Sequence, residues 1–124
     1  MTTSGPKALL IEDDADSLLV LRSLCAEESL VAEVASEGND ALRRLESEDY
    51  AVIILDLQIP GLDGIGLIDH LRGARPEILE RVVLFTGFAN AGGDAPDLPT
   101  VPKADTNSLR YAIRRMIGAD RQAN

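Results

Sequence analysis

A single cysteine, Cys25, is the only thiol in these 124 residues. That excludes an internal disulfide and any multi-cysteine metal site, and it suits a reducing compartment. Cys25 stands near Leu21 and Leu24 at helical spacing and reads as a buried core thiol. Histidine is as scarce. His70, beside Asp69, has no second His or Cys with which to hold a metal, and reads as a surface or half-buried residue. Basic residues are outnumbered, 12 Lys and Arg against 21 Asp and Glu, for a formal net charge of -9. Nucleic-acid binding needs clustered positive charge to neutralise phosphates, so it is not expected; basic or cationic partners suit the chain better. Arg110, Arg114 and Arg115 lie at helical spacing and read as a solvated face. No apolar run approaches the ~20 residues that cross a bilayer. The opening MTTSGPK lacks a positive segment followed by an apolar stretch, so no membrane association and a cytoplasmic location are expected.

What is present suits one folded domain: 45% hydrophobic and 27% charged residues, with a length that buries one core. The expected domain covers 7–118, with flexible termini at 1–6 and 119–124. Five apolar stretches of strand length recur: Ala8 to Ile11, Val31 to Ala35, Ala51 to Leu55, Val82 to Phe85, and a weaker one at Leu98 to Pro102. Continuous apolar strands are buried on both faces, as in a parallel sheet covered by helices. The intervening segments have helical spacing, so the pattern reads as α/β, (βα)5. The first helix, Ala15 to Glu28, turns Leu21, Leu24 and Cys25 to one face and Leu19 to the other, where it is a candidate partner contact. The second, Gly38 to Ser47, buries Ala41, Leu42 and Leu45. The third, Gly64 to Arg72, buries Ile65, Ile68 and Leu71. Gly87 to Pro99, GFANAGGDAPDLP, lacks apolar periodicity and predicts a short or disordered fourth helix. The last helix, Asn107 to Ile117, buries Leu109, Ala112, Ile113 and Met116, with Thr106 or Asn107 as N-cap.

The polar residues fall at the carboxyl ends of the strands, where open parallel sheets form their ligand crevice. Glu12, Asp13 and Asp14 follow the first strand, Asp56 the third, Thr86 the fourth and Lys103 the fifth. Clustered, half-buried carboxylates repel one another and need a cation to stay ionised together. Oxygen ligands of this kind favour Mg²⁺ or Mn²⁺, and Mg²⁺ keeps several waters, so two carboxylates and a carbonyl are a sufficient protein contribution. Such an ion would orient phosphoryl oxygens for attack by Asp56, with Thr86 and Lys103 adding a hydroxyl and an ammonium. Singly, each residue has an ordinary alternative: Asp13 or Asp14 as helix N-cap, Asp56 in a turn, Thr86 as a strand-end cap, Lys103 solvated. Their joint placement is the specific signal.

ALLIEDDADSL, IILDLQIPGLDGIGLI, VVLFTG and VPK together resemble the receiver domain of two-component response regulators (the CheY-like superfamily) over nearly the whole chain. The resemblance implies a flavodoxin-like doubly wound parallel sheet of order 2-1-3-4-5. It implies phosphorylation on Asp56 by a phosphohistidine of a sensor histidine kinase or histidine phosphotransfer protein, as a phospho-accepting signalling domain rather than an enzyme. It also implies Mg²⁺, with Mn²⁺ possible, held by Asp13, Asp56 and the backbone carbonyl of Gln58, with Glu12 close or through water. Thr86 and Lys103 would bind the phosphoryl group. Pro60 and Gly61 would shape the loop after the third strand, and Gly64 would open the next helix. Gln58 and Phe88 stand where they would set the lifetime of the phosphorylated state, Gln58 by orienting or blocking a water and Phe88 by shielding. Slow to moderate self-dephosphorylation is expected.

The chain also departs from the pattern. The family follows its lysine with proline and an aromatic residue, where this chain has Ala104 and Asp105. Three residues before the lysine, where an aromatic often acts as a switch, stands Thr100. Pro99 and Pro102 flank or interrupt the fifth strand, and with the Gly-rich segment beside it the usual dimerising face is expected to be abbreviated, giving a monomer or a weak, atypical dimer that signals to an unknown downstream protein. The expected whole is a single-domain response regulator, with MTTSGPK as its natural start. Alternatives are a receiver excised from a larger protein such as a hybrid histidine kinase, and a pseudo-receiver that binds partners without being phosphorylated. A metal-dependent phosphatase or nuclease is disfavoured because Gln58 stands where such enzymes carry a second acid.

Overall fold

In the computed structural model, residues 5–59, 63–87, 95 and 97–122 are described. The apolar runs become β1 (Lys7–Ile11), β2 (Val31–Ala35), β3 (Val52–Leu55), β4 (Val82–Thr86) and β5 (Thr100–Pro102). All pair in parallel, in the order β2-β1-β3-β4-β5. The three inner strands are buried on both faces, and the alternation of their side chains divides the core in two. Leu9, Ile11, Ile53, Leu55, Val82 and Leu84 face one layer; Ala8, Leu10, Val52, Ile54, Val83 and Phe85 face the other. The edge strands are less deeply buried: in β2 only Ala35 is fully covered, and in β5 only Val101.

Helices α1 (Ala15–Glu27) and α4 (Thr106–Gln122) cover the second layer through Leu21, Leu24, Cys25, Leu109, Ile113 and Ile117. Helices α2 (Gly38–Ser47) and α3 (Gly64–Ala74) cover the first through Ala41, Leu45, Leu67, Ile68 and Leu71. Leu42 and Ile65 are only partly buried, and Leu67 takes the central place expected of Ile65. A 3-10 turn at Pro76–Arg81 seals the same layer with Ile78 and Leu79. No helical period marks so short an element in the sequence.

The last helix departs from expectation at both ends. It continues to Gln122 rather than stopping at Ile117. Its cap is Asp105, whose carboxylate accepts from Ser108 N at 3.0 Å and Ser108 Oγ at 2.6 Å, displacing Thr106 and Asn107 from that role. The short side chain satisfies a donor that the first turn leaves open. The expected fourth helix falls mostly on residues 88–94 and 96, outside the described residues. Of its neighbours, Ala95 and Leu98 are buried in the first layer, and Asp97 is held by a two-bond contact from Arg72 of α3. Pro60, Gly61 and Phe88 also lie outside the described residues. Cys25 is buried and free, and burial pushes its thiol up to about 11, which makes it a packing residue rather than a nucleophile. No helix among the described residues is long and apolar enough to cross a membrane.

Candidate functional site

The backbone hydrogen bonding of the sheet continues one residue past the strands, and this places the site. Glu12 N–H donates to Ala35 O at 3.1 Å, Asp56 N–H to Ile11 O at 3.0 Å, and Lys103 N–H to Thr86 O at 2.9 Å. The residues following β1, β3 and β5 are thereby fixed at the same edge of the sheet. Asp56 is anchored a second time, because Gln58 N–H donates to its Oδ1 at 3.0 Å.

Carboxylate oxygens of Glu12, Asp13 and Asp56 lie within 4.8 Å of one another. Asp13 is exposed, whereas Glu12 and Asp56 are buried, at 1% and 7% exposure. Lys103 reaches between the two buried acids, with Nζ 2.8 Å from Glu12 Oε1 and 3.1 Å from Asp56 Oδ2. Glu12 Oε2 accepts from the backbone N–H groups of Asp13 and Asp14, each at 3.2 Å. Among the described residues Glu12 Oε1 has no well-aligned hydrogen-bond donor, so its contact with Lys103 is chiefly ionic. The third acid of the run, Asp14, is turned away to cap α1, accepting from Ser17 N and Ser17 Oγ at 2.9 Å each. Thr86 ends β4 fully buried.

Burial raises the Glu12 carboxyl above its ordinary value; the Lys103 ammonium and the backbone donor at Asp14 offset this only in part. Burial also pulls on the Lys103 ammonium, downward, but its contacts with the Glu12 and Asp56 carboxylates outweigh that, and the net shift is upward. Lys103 therefore stays charged between two carboxylates. A folded-state pKa raised above the unfolded value of 4.5 means that the fold binds the Glu12 proton more tightly than the unfolded chain does. Stability of the metal-free protein is thus expected to rise as pH falls from neutral through that raised value, and to stop rising below 4.5. Exposed carboxylates with lowered pKa, such as Glu27 beside Arg110 and Asp97 beside Arg72, act the other way only at lower pH. Urea unfolding between pH 4.5 and 7.5 tests this: Glu12→Gln should flatten the slope, and an unchanged slope would assign it to other groups.

The residues fit a hard divalent cation. Every donor is oxygen, three carboxylates converge, and among the described residues one buried oxygen lacks an aligned partner. The structure thus brings together Glu12, Asp13, Asp56 and Lys103, with the Gln58 amide on Asp56 as an added hold that residue types alone did not reveal. It leaves other candidates outside. His70 is exposed. Arg110 pairs with Glu27 at 2.9 Å and Arg114 with Glu28 at 2.7 Å, tying α4 to α1, while Arg115 lies over the Tyr111 ring. Leu19, at 69% exposure, faces outward on α1 as its spacing required.

Comparison with known proteins agrees with this geometry. The family model of the response regulator receiver domain matches residues 8–95. Transcriptional regulatory protein TcrA of Mycobacterium tuberculosis is 27% identical over 106 residues, covering 80% of this chain and 41% of TcrA. Transcriptional regulatory protein ResD of Bacillus subtilis is 31% identical over 120 residues, covering 91% of this chain and 50% of ResD. The chain thus spans about half the length of these relatives or less. In structure it is similar to the response regulator TrrA of Thermotoga maritima, solved in complex with Mg(2+)-BeF, with a TM-score of 0.80 and 20% identity. That match covers 90% of this chain and 99% of TrrA. The family match takes in Glu12, Asp13, Asp56 and Thr86 in one continuous stretch and needs no help from the sheet order to which it independently corresponds, so the chain belongs to the response regulator receiver domain family.

Proposed function

We propose that this receiver accepts a phosphoryl group on Asp56 from a phosphohistidine, on a sensor histidine kinase or a histidine phosphotransfer protein. The observation that carries the reading is the buried Asp56 carboxylate, held by the Gln58 amide and facing Lys103, beside the two further acids Glu12 and Asp13. In the transfer a carboxylate oxygen of Asp56 forms a P–O bond as the P–N bond of the donor breaks, and the bonding pair leaves with the imidazole nitrogen. The Gln58 amide fixes the rotation of the nucleophile, so little reorganisation precedes attack. Lys103, already charged at the site, is placed to shift from the carboxylates toward developing phosphoryl charge, and Thr86 to donate its hydroxyl. Mg²⁺, or Mn²⁺ in its place, would be held by Asp13, Asp56 and the Gln58 carbonyl, with Glu12 close or through water, and supplies positive charge against the phosphoryl oxygens.

A receiver is a signalling domain, and the only turnover proposed is loss of the Asp56 phosphoryl group to water. The same chemistry serves a receiver standing alone or within a longer chain. A cytoplasmic location, signalling through protein contacts, and a monomer or weak, atypical dimer complete the reading. The pseudo-receiver reading draws on Thr100, whose Oγ1 donates to Leu98 O at 3.2 Å on an exposed edge, where the family resemblance places an aromatic. Incubation with phosphoramidate and Mg²⁺, followed by intact mass, separates the two. One phosphoryl adduct is expected, absent without the divalent cation and absent in Asp56→Asn. An unmodified wild-type protein, or an adduct that survives in Asp56→Asn, would sink the phospho-acceptor reading.

A further inference from the structure

Lys103 is a long side chain rooted in a turn that has no proline after the lysine to stiffen it, yet its ammonium is held between two buried carboxylates. The bonds around the turn show what does the stiffening. Lys103 is the second residue of a four-residue turn, Pro102 to Asp105, closed by Asp105 N–H donating to Pro102 O at 2.9 Å. On its other side the Lys103 N–H is tied to Thr86 O at 2.9 Å. Asp105 is bonded through every polar group it has. Its carbonyl accepts from Leu109 N at 3.3 Å, and its two carboxylate oxygens take the Ser108 N–H and hydroxyl. Leu109 is itself fully buried under the sheet. The turn is therefore fastened to β4 at one end and to the first turn of α4 at the other, with Asp105 as the second fastening. Ala104, between them, is exposed and too short to fix anything.

We propose that Asp105 is a positioning residue for the acceptor site, holding the Lys103 ammonium between Glu12 and Asp56 by locking the turn that carries it onto α4. The inference rests on the reading of Lys103 as the cation that meets the phosphoryl group. It assigns to a side-chain cap the rigidity that a proline ring would otherwise supply after the lysine. Without the cap, the turn gains freedom, and the ammonium samples positions away from the carboxylates. Misplacing a charged group by about 1 Å is enough to slow a reaction strongly.

The test compares Asp105→Ala, which removes the cap, with Asp105→Asn, which keeps an equally good capping oxygen. The first readout is the ¹⁵N–¹H ammonium resonance of Lys103 in the unphosphorylated protein, taken where circular dichroism shows each variant folded. It should be sharp in wild type and Asp105→Asn, and broadened or lost in Asp105→Ala. The second is phosphorylation by phosphoramidate with Mg²⁺, followed by intact mass. The maximal rate should fall about tenfold in Asp105→Ala at unchanged half-saturating donor, and recover in Asp105→Asn. A role in stability alone would lower the unfolding temperature and leave both readouts unmoved. An unaltered ammonium signal in Asp105→Ala, an unaltered rate, or an Asp105→Asn as defective as Asp105→Ala overturns the inference. If wild type takes no phosphate, the phospho-acceptor reading fails, and the ammonium signal alone still decides whether Asp105 holds Lys103.

Discussion

Replacing Lys103 with methionine is expected to slow phosphoryl transfer to Asp56 by about 100-fold, the usual cost of removing one aligned charge from a reacting oxygen, while divalent-cation binding becomes tighter. The two effects have one cause. Methionine keeps the unbranched stem but removes the charge that now lies 2.8 Å from Glu12 and 3.1 Å from Asp56. In the metal-free protein Lys103 is their counter-ion, so a divalent cation must compete with it for the same oxygens. Without it, two buried carboxylates face each other uncompensated. Breaking a buried pair in this way costs about 3 kcal/mol of stability in the absence of metal. Millimolar Mg²⁺ should restore much of that loss by binding the folded state, and mild acid should do so by protonating Glu12. Calorimetric titration with Mg²⁺ and urea melts at two pH values read these effects apart from the transfer rate. Equal metal affinity in wild type and Lys103→Met would remove competition from the account.

The strands and their polar ends were legible in the sequence because burial on both faces leaves a plain mark. IILD and VVLFT admit no alternation, and the polar residue ending each is held by the sheet's own hydrogen bonding. Helix faces were legible where leucine and alanine recur at 3.6 spacing, as in Leu21, Leu24 and Cys25. Three features were not. The 3-10 turn at Pro76–Arg81 is too short to show a period. The cap of α4 lies one or two residues earlier than the sequence suggests, because Thr106, Asn107 and Asp105 are all good caps and only the path of the chain out of β5 selects among them. The division of labour within Glu12-Asp13-Asp14 depends on side-chain direction. Glu12 turns inward beneath the sheet edge and Asp14 folds back onto Ser17, a distinction that three adjacent acids do not encode.

Gly64→Ala is expected to destabilise the protein by about 3 kcal/mol and to impair Asp56, although the change adds a single methyl group to a helix. A Cβ at this position would stand 2.5 Å from Leu57 Cα and 3.0 Å from both Leu57 O and Leu57 Cδ2. Two of these atoms belong to backbone, so no rotamer change relieves the overlap. Gly64 also donates its N–H to Leu57 O at 3.2 Å, which is what draws α3 so close to the strand end. Leu57 lies between Asp56 and Gln58, whose amide holds the Asp56 carboxylate. Relief of the overlap therefore has to come from moving the segment that orients the acceptor, or from moving α3 out of the first core layer. Gly73 in the same helix is the control. A Cβ there meets nothing within 4 Å, so Gly73→Ala should instead stabilise by about 0.5 kcal/mol through helix propensity. Opposite signs at two glycines of one helix, read from urea melts, would show that Gly64 is required for close approach. A Gly64→Ala protein as stable as wild type, with unchanged phosphorylation, would mean that α3 shifts freely and does not position Asp56.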